Sequence, residues 1–420
     1  MDLFALQLFA FLRPLLEIDT GTSFGGLKVF ELAAITFSGM LMLALLVRVA
    51  LSGKLRLSTI DLAIGAFVLW CIAVFLVYFE DANIKELGKL VIPLLSYVVV
   101  KNVVTNEREY ENIIWLVIVG LTVPTAASAV MIMSGHGVAT VHYWSGAIRY
   151  QGVYLGGHNL AHSMTLLLML IVLYWGLRTT TEEEDKRSFG TGRKILIGGL
   201  AVLALYCLYH TWVRTAFLGF LVFLIVLAIG RGKKLLVIAI VAALLAPALL
   251  VESLRQGFMY EVAQSEQDKY FTASKLGGGR PMMWNMFLTE FMEEPIDRQL
   301  AGVGIGFAGG RLGGGKYGVT STHNDFLDVL VQTGFVGFAI FVTLLTLVLR
   351  RILRLDRAQR AFFLGFFVAI MFMNFVSASY VSRFGLAQLA WLVLAYIELP
   401  MRARREGSHV LSRDVPREAI

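Results

Sequence analysis

Charged side chains are scarce in this sequence of 420 residues: 16% are Asp, Glu, Lys or Arg, against about a quarter in soluble globular chains. Hydrophobic residues make up 57%, and the mean hydropathy is +0.71. Apolar runs such as 113–133 and 235–251 contain no charged side chain. A water-soluble protein with buried helices is excluded, because so little polar surface cannot cover about a dozen such runs.

Cysteine is nearly absent as well. Cys71 and Cys207 both lie inside apolar segments, which excludes a disulfide framework and a cysteine metal site. The glycine-rich stretch at 302–306 has no strand–helix unit around it, so we interpret it as a tight turn and not as a nucleotide site. No internal repeat of the kind found in many transporters is evident. The net charge of +7 does not indicate nucleic-acid binding, because the basic residues lie in short loops between apolar runs.

Apolar runs of about 20 residues predict transmembrane helices, since that length crosses the hydrocarbon core. We predict an all-α polytopic membrane protein with about 12 transmembrane helices, at roughly 3–18, 31–50, 60–79, 87–104, 113–133, 155–177, 195–213, 215–230, 235–253, 326–349, 361–379 and 386–400. Basic residues concentrate in alternate loops, including 54–56, 186–194, 231–234 and 350–360. The positive-inside rule places those loops and both termini in the cytoplasm.

The outer side has two longer loops, at 134–154 and at 252–325, the second between the ninth and tenth helices. Long loops are more often functional than idle. The predicted organisation is an N-terminal transmembrane helix bundle at 1–253, a large outer loop with short helices at 254–325, C-terminal transmembrane helices at 326–400 and a polar cytoplasmic tail at 401–420.

His323 is a candidate general base where the large loop meets the next helix, in the stretch Thr322-His323-Asn324-Asp325. The positive end of a helix disfavours an imidazolium, and a neutral imidazole can accept a proton. Asn324 and Asp325 have helix capping as an alternative to a functional role. For His323 the alternative is an interfacial histidine that reaches for water.

Three arginines accompany His323 on the outer side. Arg214 stands at a tight turn between two apolar runs, and it would share a helical face with His210 if that helix continued. Arg280-Pro281 is predicted to open a short helix with an apolar face of Trp284, Phe287, Leu288 and Phe291. Arg149 precedes His158 and His162, whose spacing suits a metal, although no third ligand is nearby. Because arginine binds phosphate bidentately, the set indicates a phosphorylated ligand beside a proton acceptor.

These motifs, in this order and on this side, resemble those of the bacterial O-antigen ligase and O-antigen polymerase superfamily. The strongest segment is Thr322-His323-Asn324-Asp325-Phe326-Leu327, followed by Gln332-Thr333-Gly334-Phe335-Val336-Gly337. Further matching motifs are Gly279-Arg280 with Trp284, Pro295, the glycines of 302–306, Val213-Arg214-Thr215, and Arg149 with Gly152 and Asn159-Leu160-Ala161. His158 departs from the family, whose members often have proline there.

The resemblance implies an inverting glycosyltransferase of the inner membrane that needs neither metal nor cofactor. Its donor would be a glycan on undecaprenyl pyrophosphate, used at the periplasmic face among membrane lipids. His323 would activate the acceptor hydroxyl, Arg214, Arg149 and Arg280 would bind the pyrophosphate, and Asn324, Asn159 and Trp284 would support them.

Two acceptors fit this chemistry, a second lipid-linked repeat unit for a polymerase and the lipid A-core for a ligase. The stretch 252–324 has seven basic and eight acidic residues, one net negative charge. A loop that docks on phosphate-rich lipid A should be more basic, which favours the polymerase. Transfer to protein is a third branch, and a transporter or flippase of lipid-linked sugars, which would not need His323, is the alternative of another class.

Overall fold

The computed structural model describes residues 1–19, 23–24, 27–79, 83–141, 148–181, 190–233, 235–237, 280–306 and 322–400, and it is mostly helical, as predicted. The described helices are α1 (Asp2–Leu12), α2 (Val29–Leu51), α3 (Thr59–Val77), α4 (Ile84–Val103), α5 (Glu107–Met133), α6 (Gly157–Thr181), α7 (Thr191–Thr211), α8 (Arg214–Gly230), α9 (Arg280–Glu293), α10 (Ile296–Ala301), α11 (Asp325–Leu353), α12 (Arg357–Val376) and α13 (Phe384–Leu394). Short 3₁₀ turns lie at Leu15–Glu17 and Ala395–Glu398.

Two small antiparallel ribbons interrupt the helical pattern. Strands β1 (Ser23–Phe24) and β2 (Leu27–Lys28) form one, and β3 (Val138–Val141) and β4 (Ile148–Tyr150) form the other. The second ribbon lies in the predicted outer loop at 134–154 and carries Arg149 on β4.

Seven of the described helices are long and apolar enough to cross a membrane: α2, α3, α5, α6, α7, α11 and α12. Helices α8 and α13 are apolar but shorter. Helix α1 has 11 residues, which reach about 16 Å at 1.5 Å each and fall short of a bilayer. Most of the predicted span 235–253 lies outside the described residues, so the predicted count of twelve stays a prediction.

Helix α6 is the centre of the bundle. Within its membrane segment 83% of the residues are buried, whereas the other six candidate spans range from 28% to 56%. Helix α6 packs against α5, α7 and α8. His158 and Asn159 lie in its first turn and are partly buried.

Helix α11 is broken at Gly334, where φ is +67° and ψ is −176°. The glycine turn that follows α10 packs against this break. The N–H of Val303 donates to the oxygen of Val331 at 2.9 Å, and the N–H of Gly306 donates to Oε1 of Gln332 at 2.8 Å. The turn interpretation of 302–306 is confirmed by positive φ at Gly302, Gly304 and Gly306. The segment that begins beside His323 is thus set at an angle to the rest of α11.

Gly334→Ala is expected to destabilise the protein. Its φ is in the region that side chains avoid, and a Cβ there would overlap the backbone of Leu300 and Gly302. Thermal unfolding of the purified protein measures the effect, with Gly65→Ala as the control, because a Cβ at Gly65 meets open space. Equal unfolding temperatures for the two variants would contradict this role of Gly334.

Candidate active site

His323 lies in a strained turn at the start of α11. Its φ is +53°, a conformation that non-glycine residues rarely adopt and that clusters at functional sites. The residues on both sides are fixed: the indole N–H of Trp284 donates to the oxygen of Thr322 at 2.9 Å, and Oδ1 of Asn324 accepts from the N–H groups of Phe326 and Leu327 at 3.0 and 3.2 Å. Asn324 therefore caps α11, the alternative considered from the sequence, while the His323 side chain remains exposed.

Burial of part of the ring, and then the charges of Arg280 and Arg383, lower the pKa of His323 below its ordinary value of 6.5. The imidazole is therefore neutral at pH 7 and has a nitrogen lone pair to accept a proton. The neutral ring was predicted from the helix end, whereas the structure attributes it to burial and to two arginines.

Asp325 does not cap the helix. Its buried carboxylate accepts from the N–H groups of Ser379, Val381 and Ser382, at 2.8, 3.2 and 3.2 Å, and from the hydroxyl of Ser382. These bonds join the start of α11 to the loop at 377–383 between α12 and α13. The residue next to the His323 turn thus organises a loop that the sequence analysis had not singled out.

That loop brings Arg383 into the site. Its Nε donates to the oxygen of Ala378 at 2.7 Å, and its Nη1 donates to Oδ1 of Asn159 at the start of α6. Asn159, for which a supporting role is predicted from the sequence, thus contacts Arg383 directly. A signal for Arg383 was present in the sequence, because it is a charged residue in a predicted outer loop between two apolar runs.

Arg280 is the first residue of α9, as predicted, and its Nη1 donates to the oxygen of Val376 beside the same loop. The apolar face of α9 is confirmed by buried Phe287 and Phe291 and by the contact of Trp284 with Phe375, whose ring centroids are 5.3 Å apart. Leu288, which was expected on this face, is instead 38% exposed. Helix α9 therefore places Arg280 beside the loop at 377–383 and Trp284 against the backbone next to His323.

Arg149 and Arg214 form a second cationic pair. Burial, and then the charge of Arg214, lower the pKa of Arg149 below the ordinary arginine value, although an arginine remains charged in proteins. Nε of Arg149 is buried and has no hydrogen-bond partner among the described residues. A buried polar atom without a partner is costly, and a phosphate oxygen could fill that place.

Arg214 and His210 do not share a helix face, so that expectation was wrong. Helix α7 ends at Thr211, and Trp212 is left-handed with φ of +54°, so α8 starts anew at Arg214. The His210 ring packs instead against Tyr206 and Tyr150, at centroid distances of 4.6 and 5.7 Å.

His158 connects the two groups of cations. The charges of Arg383, Arg280 and Arg149 all act on it, and Arg214 acts on Arg149 in turn. Two of the sequence-predicted arginines, Arg280 and Arg149, therefore lie near His158, and Arg280 also lies near His323.

His162, by contrast, is engaged within the fold. It is fully buried, and its Nε2 lies 2.8 Å from Oγ of Ser379 and its Nδ1 lies 2.7 Å from the oxygen of His158. In the described ranges no three His, Cys, Asp or Glu side chains are grouped as metal ligands. His162 thus connects the start of α6 to the loop at 377–383.

Comparison with known proteins bears on this arrangement. Residues 199–342 match the family model described as O-Antigen ligase. The matched segment includes Arg214, Arg280, Trp284, His323 and Asn324, whereas Arg149, Asn159 and Arg383 lie outside it. No curated protein matches the chain. Residues 199–342 are therefore similar to the O-antigen ligase family, which agrees with the resemblance of the chain to the O-antigen ligase and polymerase superfamily.

Proposed function

We propose that this protein transfers a glycan from undecaprenyl pyrophosphate to an acceptor hydroxyl at the periplasmic face of the inner membrane, without metal or nucleotide. The observation that carries the proposal is the neutral His323 set among arginines in a membrane protein with an O-antigen ligase domain. A carbohydrate hydroxyl is a poor nucleophile and needs a base. A pyrophosphate is already a good leaving group and needs mainly charge stabilisation.

His323 is the base in this scheme, and the reaction is one displacement. Its neutral nitrogen takes the acceptor proton, the acceptor oxygen bonds to the anomeric carbon, and the bond from that carbon to the phosphate oxygen breaks. The electron pair leaves with undecaprenyl pyrophosphate, whose negative charge Arg149, Arg214 and Arg280 stabilise. Attack opposite the leaving group inverts the anomeric centre. Asn324 and Trp284 hold the His323 turn.

Transfer is expected to require the unprotonated His323. Because the pKa is lowered, the rate should be flat near pH 7 and fall only at acid pH, with its midpoint below 6.5. Removing a positive neighbour in Arg280→Gln should move that midpoint upward, measured from initial rates against pH. Arg149→Gln, whose charge is not among those that shift His323, is the control for the midpoint. An acid limb at or above 6.5 in the wild type would contradict His323 as the base.

Of the two acceptors, we propose a second lipid-linked repeat unit, so that the enzyme polymerises O-antigen or exopolysaccharide repeats. The support is the near-neutral charge of the large loop, which lacks the basic excess expected for docking on lipid A. The alternative is ligation of the finished glycan to the lipid A-core.

Cells that lack the chromosomal gene separate these functions. Surface glycan and lipid A fractions from the deletion strain and from the complemented strain are compared on gels. Accumulation of single repeats in the deletion strain supports the polymerase. Long polymer that stays on the carrier lipid, with bare lipid A, supports the ligase. Lipid-linked repeats trapped in the cytoplasmic leaflet would indicate a flippase and overturn the transferase proposal.

A further inference from the structure

We propose that Arg383 is a further substrate-binding residue, which together with Arg149, Arg214 and Arg280 forms a four-arginine site for the diphosphate of the lipid carrier. The inference deepens the proposed function and rests on it. Arg383 lies outside the segment matched to the O-antigen ligase model.

The position of Arg383 is fixed by the structure around it. Asp325 holds the backbone of 379–382, and the side chain is clamped through Nε by Ala378 and through Nη1 by Asn159. Nη2 donates no hydrogen bond to the described residues, so one edge of the guanidinium can still donate to a ligand. A preorganised fork loses little rotamer freedom when it binds an oxyanion.

Among the described residues, no carboxylate contacts Arg383 directly. Its hydrogen bonds there go to neutral oxygens, a backbone carbonyl and a side-chain amide. Burial lowers its pKa below the ordinary arginine value, and Asp325 and Glu17 attract it only through space. A partly buried cation whose direct partners are neutral is stabilised when an anion joins it.

The proposed anion site lies beside His158. The charges of Arg383, Arg280 and Arg149 all act on its ring, and its Nδ1 is buried without a hydrogen-bond partner among the described residues. Cations gathered around one neutral ring repel each other, and an anion bound between them removes the repulsion. A diphosphate has acceptor oxygens on two phosphorus atoms, and in this proposal one phosphate lies beside Arg149 and Arg214 and the other beside Arg280 and Arg383.

If Arg383 had only a structural role, it would make its hydrogen bonds to Ala378 and Asn159 but would not contribute to the affinity for a ligand. The test uses the full-length protein in nanodiscs and inorganic pyrophosphate as the probe, with the thermal shift followed over a pyrophosphate titration. Arg383→Gln is expected to weaken pyrophosphate binding by about 10- to 100-fold, the range for losing charge-assisted hydrogen bonds. Arg383→Lys keeps the charge without the fork and should give an intermediate loss.

Arg351→Gln is the matched control. Arg351 pairs with Glu398 at 2.8 Å near the other end of α11, so its loss should leave pyrophosphate affinity unchanged. Should Arg383→Gln fail to fold, the comparison of Arg383→Lys with the wild type decides. Unchanged affinity in the Arg383 variants, or a wild type that pyrophosphate does not stabilise, overturns the inference.

Measuring glycan transfer together with pyrophosphate binding distinguishes a failure of this inference from a failure of the proposed function. A wild type that binds pyrophosphate through Arg383 but transfers no glycan would contradict the transferase and leave the anion site standing. An active wild type whose Arg383→Gln variant has an unchanged KM for the lipid-linked donor would contradict the role of Arg383 alone.

Discussion

His323→Ala is expected to reduce glycan transfer by about 10²- to 10⁴-fold, the usual contribution of a general base, while the protein still inserts and folds. The side chain is exposed, and the hydrogen bonds that hold the turn come from its neighbours Thr322 and Asn324. Alanine keeps the Cβ of histidine, so the substitution should leave the backbone strain at φ of +53° unchanged. Initial rates of transfer and thermal unfolding, measured on the same preparation, separate chemistry from folding.

The matched control for this prediction is His136→Ala. His136 is an exposed histidine in the predicted outer loop at 134–154, and its Nδ1 lies 3.0 Å from Oγ of Ser134. Its loss should leave the transfer rate unchanged. If His323→Ala retained wild-type activity, or if both variants lost activity equally, His323 would not be the base.

Asp325→Ala should lower the free energy of unfolding by about 3 kcal/mol or more. The substitution leaves the buried N–H groups of Ser379, Val381 and Ser382 without their acceptor, and each such group costs about 1–3 kcal/mol. Transfer should be lost as well, since the loop that carries Arg383 loses its anchor. Asp325→Asn should cost less than Asp325→Ala, because its amide oxygen can still accept from one set of these donors while its NH₂ group faces the other.

Asp356→Ala provides the comparison. Asp356 is an exposed residue that caps α12, with Oδ1 accepting from Ala358 and Gln359 at 3.0 Å each. Losing an N-cap costs about 1 kcal/mol, and the site should keep its activity. Denaturant or thermal unfolding in detergent gives both values. A smaller loss for Asp325→Ala than for Asp356→Ala would remove Asp325 as the anchor of the site.

The helical membrane fold could be predicted from the sequence because long apolar runs have few alternatives in a bilayer. The start of α9 at Arg280 and the turn at 302–306 followed from proline and glycine placement. The break at Gly334 did not, since apolar residues continue after it. The end of α1 at Leu12 was missed although Arg13 and Pro14 follow it directly, because the apolar residues resume at Leu15.

The residue types of the candidate site could be predicted from the sequence, but the hydrogen bonds that connect them could not. His323, Arg280 and Arg149 were found because charges beside apolar runs are unusual. The link from Asp325 to the loop at 377–383 joins residues more than 50 positions apart, and capping rules describe only local bonds. Helix capping by Asn324 was the local part, and it was confirmed. Arg383 also stands between apolar runs, but its contact with Asn159, more than 200 positions away, could not be predicted from the sequence.

Transfer by the purified protein is the most direct test of the central claim. The full-length chain is reconstituted in liposomes with a glycan on undecaprenyl pyrophosphate and a lipid-linked acceptor, with a chelator present and no nucleotide. Glycan transfer and undecaprenyl pyrophosphate release are then measured together. The account predicts equal amounts of both, with inversion at the anomeric carbon and dependence on His323. Movement of the intact donor between leaflets, with no transfer and no release, would contradict it.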